Sequence, residues 1–266
     1  MTQLGVGTIL KNAFSVFFEN LFTALFIALV TGGLGFYLTD ALGTRAAASL
    51  HLSEGKALLV VGVLIQSALL CVWSGVVGSW AAPAQIYLWV QREKKQVASL
   101  SGAINYGLNR MGRVMGPHFS AYGLIALGNI VIVPGVIFGL QFAFVDAIAT
   151  LDQQEKSPLS RSMRLTSARR GTIFQTMLVF FFGWWLWYQL GLAFLQSTMP
   201  WWGKVALGTV DHLVLILVDL AMVQIYLDLF RKPAEASAPN LPSALPAGTN
   251  ENPWAASSSD SETPKS

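Results

Sequence analysis

Charge is what this sequence has least of. Only 12% of its 266 residues are Asp, Glu, Lys or Arg, about half the share with which a soluble domain covers its surface. Hydrophobic residues make up 53%. A water-facing shell cannot be assembled from this composition, and a bilayer is the solvent that fits. Cysteine is nearly absent. The single Cys71 excludes an intramolecular disulfide and any Cys-based metal site, and its place in an apolar run marks it as a small buried apolar residue.

The other absences concern chemistry. The sequence contains no phosphate-binding P-loop, no HExxH and no GxSxG. Ser, His and Glu occur together in "GTRAAASLHLSEG" (residues 43–55) without catalytic spacing. His51 and His118 stand isolated at expected membrane edges, with no metal-ligand spacing. A net charge of +3, scattered along the chain, gives no footprint for nucleic acid. The expectation is a protein that is not an enzyme and needs no cofactor or metal. The first apolar stretch follows an amphipathic segment with no clear cleavage site, as a retained anchor would.

Long apolar runs are what the sequence does have. A crossing takes about 20 residues at 1.5 Å rise. Apolar runs predict spans over residues 21–38, 57–90, 114–133, 136–151, 173–195 and 205–230. The second is long enough to need tilt, or a bend near Pro83. The third and fourth come from one run, too long for a single crossing, that Pro134-Gly135 divides. Proline removes a donor and glycine accepts turn dihedrals, so the pair predicts a tight turn at the membrane surface. With the amino terminus in the cytoplasm, six spans place 14 of the 17 basic residues inside, and only Arg45, Lys56 and Lys204 outside. Trp201 and Trp202 then fit an outer aromatic belt.

The segments before the odd-numbered spans resemble one another. "LSGAINYGLNRMGRVM" (100–115) aligns without a gap to "LSRSMRLTSARRGTIF" (159–174), and "GTILKNAFSVFFENLF" (7–22) takes the same place before the first span. Ile9, Ala13, Phe17 and Leu21 oppose Lys11, Ser15 and Glu19 at helical spacing. An amphipathic interfacial helix is expected before spans 1, 3 and 5, either lying on lipid or packed under the bundle. Domain organisation is therefore a membrane domain over residues 1–232. The Pro/Ala/Ser-rich residues 233–266 can bury too little to order and are expected to form a disordered cytoplasmic tail.

Ionisable groups inside spans mark function by default, because they are costly there. Asp146 falls near the inner end of span four; Asp211, His212 and Asp219 share a broad arc of span six. Asp219 and His212 could form a proton or cation pathway, or hydrogen-bond a neighbouring helix at Gln66, Gln141, Gln175 or Gln189; Asp146 is expected to act as an anchor paired with a basic loop residue. Arg110, Arg113, Arg161, Arg164, Arg169 and Arg170 would meet anionic headgroups or a partner's acidic surface.

Pro134-Gly135, the apolar pass to Asp146, and the amphipathic segment carrying Ser162, Leu165, Thr166 and Gly171 carry a family resemblance. Residues 1–232 resemble the membrane domain attached to some bacterial glycerophosphoryl diester phosphodiesterases, and related stand-alone integral membrane proteins. The resemblance implies a six-span fold in a bacterial cytoplasmic membrane. The phosphodiesterase chemistry of that family belongs to a separate soluble barrel, for which this chain has no room. The sequence thus predicts an all-α membrane protein with both termini cytoplasmic. Its expected role is that of a non-catalytic scaffold touching lipids and another membrane or cytoplasmic protein. The alternative is a small-solute or ion-coupled transporter.

Overall fold

A computed structural model describes residues 5–49, 56–129, 133–152, 154–167, 169–194 and 200–228. The expected tail over residues 233–266 lies outside the described residues. All regular structure among the described residues is helical: α1 (Val6–Glu19), α2 (Leu21–Ala28), a π-helical turn (Leu29–Leu34), α3 (Gly35–Ser49), α4 (Lys56–Glu93), α5 (Leu100–Asn129), α6 (Val133–Phe142), α7 (Val145–Leu151), α8 (Pro158–Ser167), α9 (Arg170–Phe194) and α10 (Trp201–Tyr226). Three stretches among them are long and apolar enough to cross a membrane: Leu21–Gly43, Val133–Leu151 and Trp201–Tyr226. They correspond to the first, fourth and sixth expected spans, and they are compatible with a membrane protein.

The amphipathic face expected on α1 is real, and it faces protein. Ile9, Ala13, Val16 and Phe17 are buried where α1 packs on α10 and α9. A second apolar edge, Phe14, Phe18, Leu21 and Phe22, is exposed. Asn20 joins α1 to the bundle: its side chain accepts from the Ala98 N–H at 3.0 Å and donates to the Val16 carbonyl at 2.8 Å.

Two expectations need correction. Residues 100–115 do not form a helix of their own; α5 runs unbroken from Leu100 to Asn129, through Pro117. The α4–α5 contact is the most extensive in the molecule, and such packing holds a helix together across a proline that would break it in isolation. Pro134-Gly135 does not make the turn either. α5 ends at Asn129 and α6 starts at Val133, so the pair sits in the first turn of α6. Proline is at home there, because the first turn has no use for its missing N–H. Gly128 lets the two helices meet: a Cβ there would strike the Gly135 backbone.

The pass that follows is broken. α6 ends at Phe142, two turn residues follow, and α7 starts at Val145. A break inside an apolar segment frees backbone polar groups that lipid cannot satisfy. Side chains of α8 satisfy them. The Ser162 hydroxyl donates to the Gln141 carbonyl at 2.8 Å and accepts from the Phe144 N–H at 3.2 Å, while the Thr166 hydroxyl reaches the same carbonyl at 3.4 Å. Gln141, one of the expected span partners, thus contributes its backbone to this junction.

The π-helical turn shows the same economy. Its Thr31 carbonyl accepts from the Trp73 indole at 2.8 Å. Gly32 meets Gly208 of α10 so closely that a Cβ on either would fall against the other's carbonyl oxygen. The two ends of the bundle differ in charge. Arg92 reaches the Asn12 carbonyl at one end, together with Arg113 and Arg161. At the other, Lys204 pairs with Asp40 at 2.5 Å beside Tyr37 and Trp201.

Candidate functional site

The broken pass presents Asp146 in the first turn of α7, where a helix start favours negative charge. Its carboxylate faces His118 of α5, whose Nδ1 lies 2.9 Å from both carboxylate oxygens. His118 is 3% exposed and packs on the Tyr122 ring at 4.2 Å between centroids. The other ring nitrogen is buried against Gly78 of α4. His118, which the sequence left unpaired, is therefore the partner of Asp146. The basic loop residue expected for Asp146 is not its partner.

Asp219 of α10 completes the centre. It lies within electrostatic reach of both Asp146 and His118. Asp146, Asp219 and Gln85 of α4 line one small cavity, otherwise walled by apolar groups such as Ile86, Ala147 and Met222. The cavity measures about 20 Å³, enough for a single water and too little for an organic solute. Gln85 is 5% exposed, and its Oε1 has no partner among the described residues. Four helices, α4, α5, α7 and α10, thus bring two carboxylates, an imidazole and an amide to one apolar interior.

Sequence reasoning found Asp146 and Asp219 but missed His118 and Gln85. Both were visible as polar residues inside apolar runs. The other two candidates fall elsewhere. His212 stands seven residues before Asp219, about 10 Å along the axis, with its ring against Gly32. Asp211 is half-buried beside it. Cys71, expected to be buried, is exposed on the rim of an apolar groove with Gly75, Phe119 and Tyr122. An outward apolar face suits lipid as well as burial suits a core.

The arginines divide into two groups. Arg110 lies 3.7 Å over the Tyr106 ring. Arg113 donates to the Asp152 carbonyl. Arg161 pairs with Asp152 at 3.2 Å and Glu155 at 3.1 Å. Glu155 also accepts from the Ser157 N–H at 3.0 Å; that bond and the Arg161 bond hold its carboxyl below the usual carboxylate range. The same acidic neighbours outweigh the burial of Arg161 and raise its guanidinium further. Arg164 and Arg170 are exposed, and neither they nor the half-buried Arg169 makes an ion pair among the described residues. No three His, Cys, Asp or Glu side chains among the described residues converge as metal ligands.

Compared with protein-family models, with curated proteins and with solved structures, the chain matches none.

Proposed function

We propose that the chain is a six-span, non-enzymatic protein of a bacterial cytoplasmic membrane that moves protons across it through the Asp146–His118–Asp219 centre. One observation carries this reading: Asp146 and Asp219, from two helices, line a cavity of about 20 Å³, and His118 of a third helix lies 2.9 Å from the Asp146 carboxylate. With both carboxylates ionised and the imidazole protonated, the centre keeps one uncompensated negative charge in an apolar interior, which is costly. One added proton neutralises it. The small cavity favours a proton over a bulky solute. Six crossings, with α4, α5 and α9 as the other three and both termini in the cytoplasm, put the arginine end of the bundle inside, as the positive-inside rule asks. The resemblance to the phosphodiesterase-linked membrane domain adds a coherent set of residues, since Pro134 opens α6 and Ser162 and Thr166 close its break.

The test is flux. Protein reconstituted into liposomes holding a pH-sensitive dye is given a valinomycin-driven potassium potential. The parent is expected to take up protons faster than empty liposomes, and Asp219→Asn to lose the excess while keeping helical content and elution profile. Parent flux equal to that of empty liposomes, or full flux in Asp219→Asn, would sink the reading.

The exposed Arg164 and Arg170, with Arg169, favour a second role, as a lipid-binding scaffold surface. Each such cation near an anionic membrane contributes about 1 kcal/mol. Replacing all three by Gln should reduce the anionic lipid retained in native mass spectrometry. Unchanged retention would count against this surface.

A further inference from the structure

From Asp146 the polar side chains continue toward the arginine end. Thr150 lies one turn further along α7, on nearly the same face. It is 2% exposed, and its Oγ1 has no hydrogen-bond partner among the described residues. Two residues on is Asp152, six from Asp146 and so about 9 Å below it. On α10, Tyr226 follows Asp219 by seven residues, two turns along the same face. The two descending lines meet: the Tyr226 hydroxyl donates to Asp152 Oδ2 at 2.5 Å.

This meeting point is closed by groups from three further places. Arg161 of α8 pairs with the Asp152 carboxylate at 3.2 Å. Arg113 of α5 donates to the Asp152 carbonyl, a C-terminal helix carbonyl that a cation suits. The Tyr226 ring packs on the buried Phe144 at 5.9 Å. Exposure rises across the cluster: Tyr226 is 1% exposed, and the side chains of Asp152 and Arg161 are 21% and 36% exposed. Thr150 therefore lies on the dry side of a polar plug whose outer members touch water.

We infer that Asp152, Tyr226 and Arg161 form a gate on the arginine side of the bundle, and that its opening connects Asp146 to water through Thr150. This rests on the proton-pathway reading of the centre, and it names where the proton enters or leaves. The gate is held by three donors on one residue. Arg161 sits on α8, whose Ser162 and Thr166 also bridge the break between α6 and α7. A displacement of α8 would release the gate and the break together.

Cysteine accessibility tests the gate without reference to flux. Thr150→Cys in a Cys71→Ser background is placed in lipid nanodiscs and treated with a small charged thiosulfonate. Thr150→Cys alone should react slowly. Adding Tyr226→Phe or Arg161→Gln should speed the reaction at least tenfold, while Arg161→Lys, which keeps the charge, should change it less. Rapid reaction before the gate is altered overturns the proposal, as does equal reactivity in all variants. Circular dichroism and elution profile identify any variant that reacts because it has unfolded; Tyr226→Phe, which removes one oxygen, then decides the outcome. A gate that opens in this assay alongside a parent without proton flux would retire the proton reading and leave the gate standing. The reverse result would retire only the gate.

Discussion

His118 Nδ1 sits 2.9 Å from both carboxylate oxygens of Asp146, across 28 residues of sequence. The His118 side chain is 3% exposed and that of Asp146 23%. Removing one member of a buried pair leaves the other's polarity uncompensated, at a cost of about 3–5 kcal/mol. His118→Gln and Asp146→Asn should each lower stability by a large part of that amount. The double variant should lose clearly less than the two losses added together, because the second change removes the group the first had stranded. Unfolding in micelles for the full double-mutant cycle measures this. Additive losses within about 0.5 kcal/mol would mean that the two groups do not interact.

The break between α6 and α7 rests on one hydroxyl that both donates and accepts. Ser162→Ala removes both bonds and leaves the Phe144 N–H and Gln141 carbonyl with less than they need. An unsatisfied buried backbone group costs about 1–3 kcal/mol. The expected loss for Ser162→Ala falls in that range. Thr166→Val, which removes a 3.4 Å contact to the same carbonyl and a 3.2 Å contact to the Met163 carbonyl within its own helix, should lose less, because it leaves the Phe144 N–H bonded. Equal losses would show that Ser162 does not hold the break.

How much of this was legible beforehand depends on the range of the interaction. The three apolar stretches Leu21–Gly43, Val133–Leu151 and Trp201–Tyr226 followed from hydropathy, and the buried face of α1 from a 3.6-residue period. Asp146 and Asp219 stood out because ionisable groups in apolar runs are rare. Their partners were hidden, since His118 and Gln85 enter through helix pairing that no local pattern encodes. Two misplacements share a different cause. Residues 100–115 were read from their local period as a separate helix and Pro134 from its propensity, but the first continue through Pro117 into α5 and the second lies in the first turn of α6, where tertiary packing and helix-start geometry decide. The π-helical turn left no trace beyond Gly32-Gly33, whose meaning lies in Gly208 on a distant helix.

That contact makes a direct prediction. A Cβ on Gly208 would fall against the Gly32 carbonyl oxygen and Phe36 Cβ, atoms that cannot turn aside as a side-chain tip can. Small residues at such crossings let helices meet where lipid offers no hydrophobic drive. Gly208→Leu should cost about 1–3 kcal/mol or prevent assembly. Gly112→Ala is the contrast: nothing lies within 4 Å of its added Cβ, and it sits inside α5. There the substitution should stabilise by about 0.5–1 kcal/mol. The pair is read from unfolding midpoints of the two variants beside the parent. A tolerated Gly208→Leu would contradict the close approach.

The Glu155 carboxylate gives a pH dependence whose sign is fixed. The Ser157 N–H and the Arg161 guanidinium favour its charged form, so its folded-state pKa lies below the unfolded value. A depressed carboxylate contributes stability that is present above the unfolded pKa and is lost as pH falls through the folded one. Glu155→Gln should therefore differ from the parent at neutral pH, and the two should converge in acid once the carboxyl of the parent is protonated. The effect is modest, because the pair is open to solvent screening, and added salt should shrink it. Hydrogen exchange of the α8 amides against pH, in parent and variant, reads this locally. A difference that grows toward acid would reverse the sign and remove Glu155 from the support of Arg161.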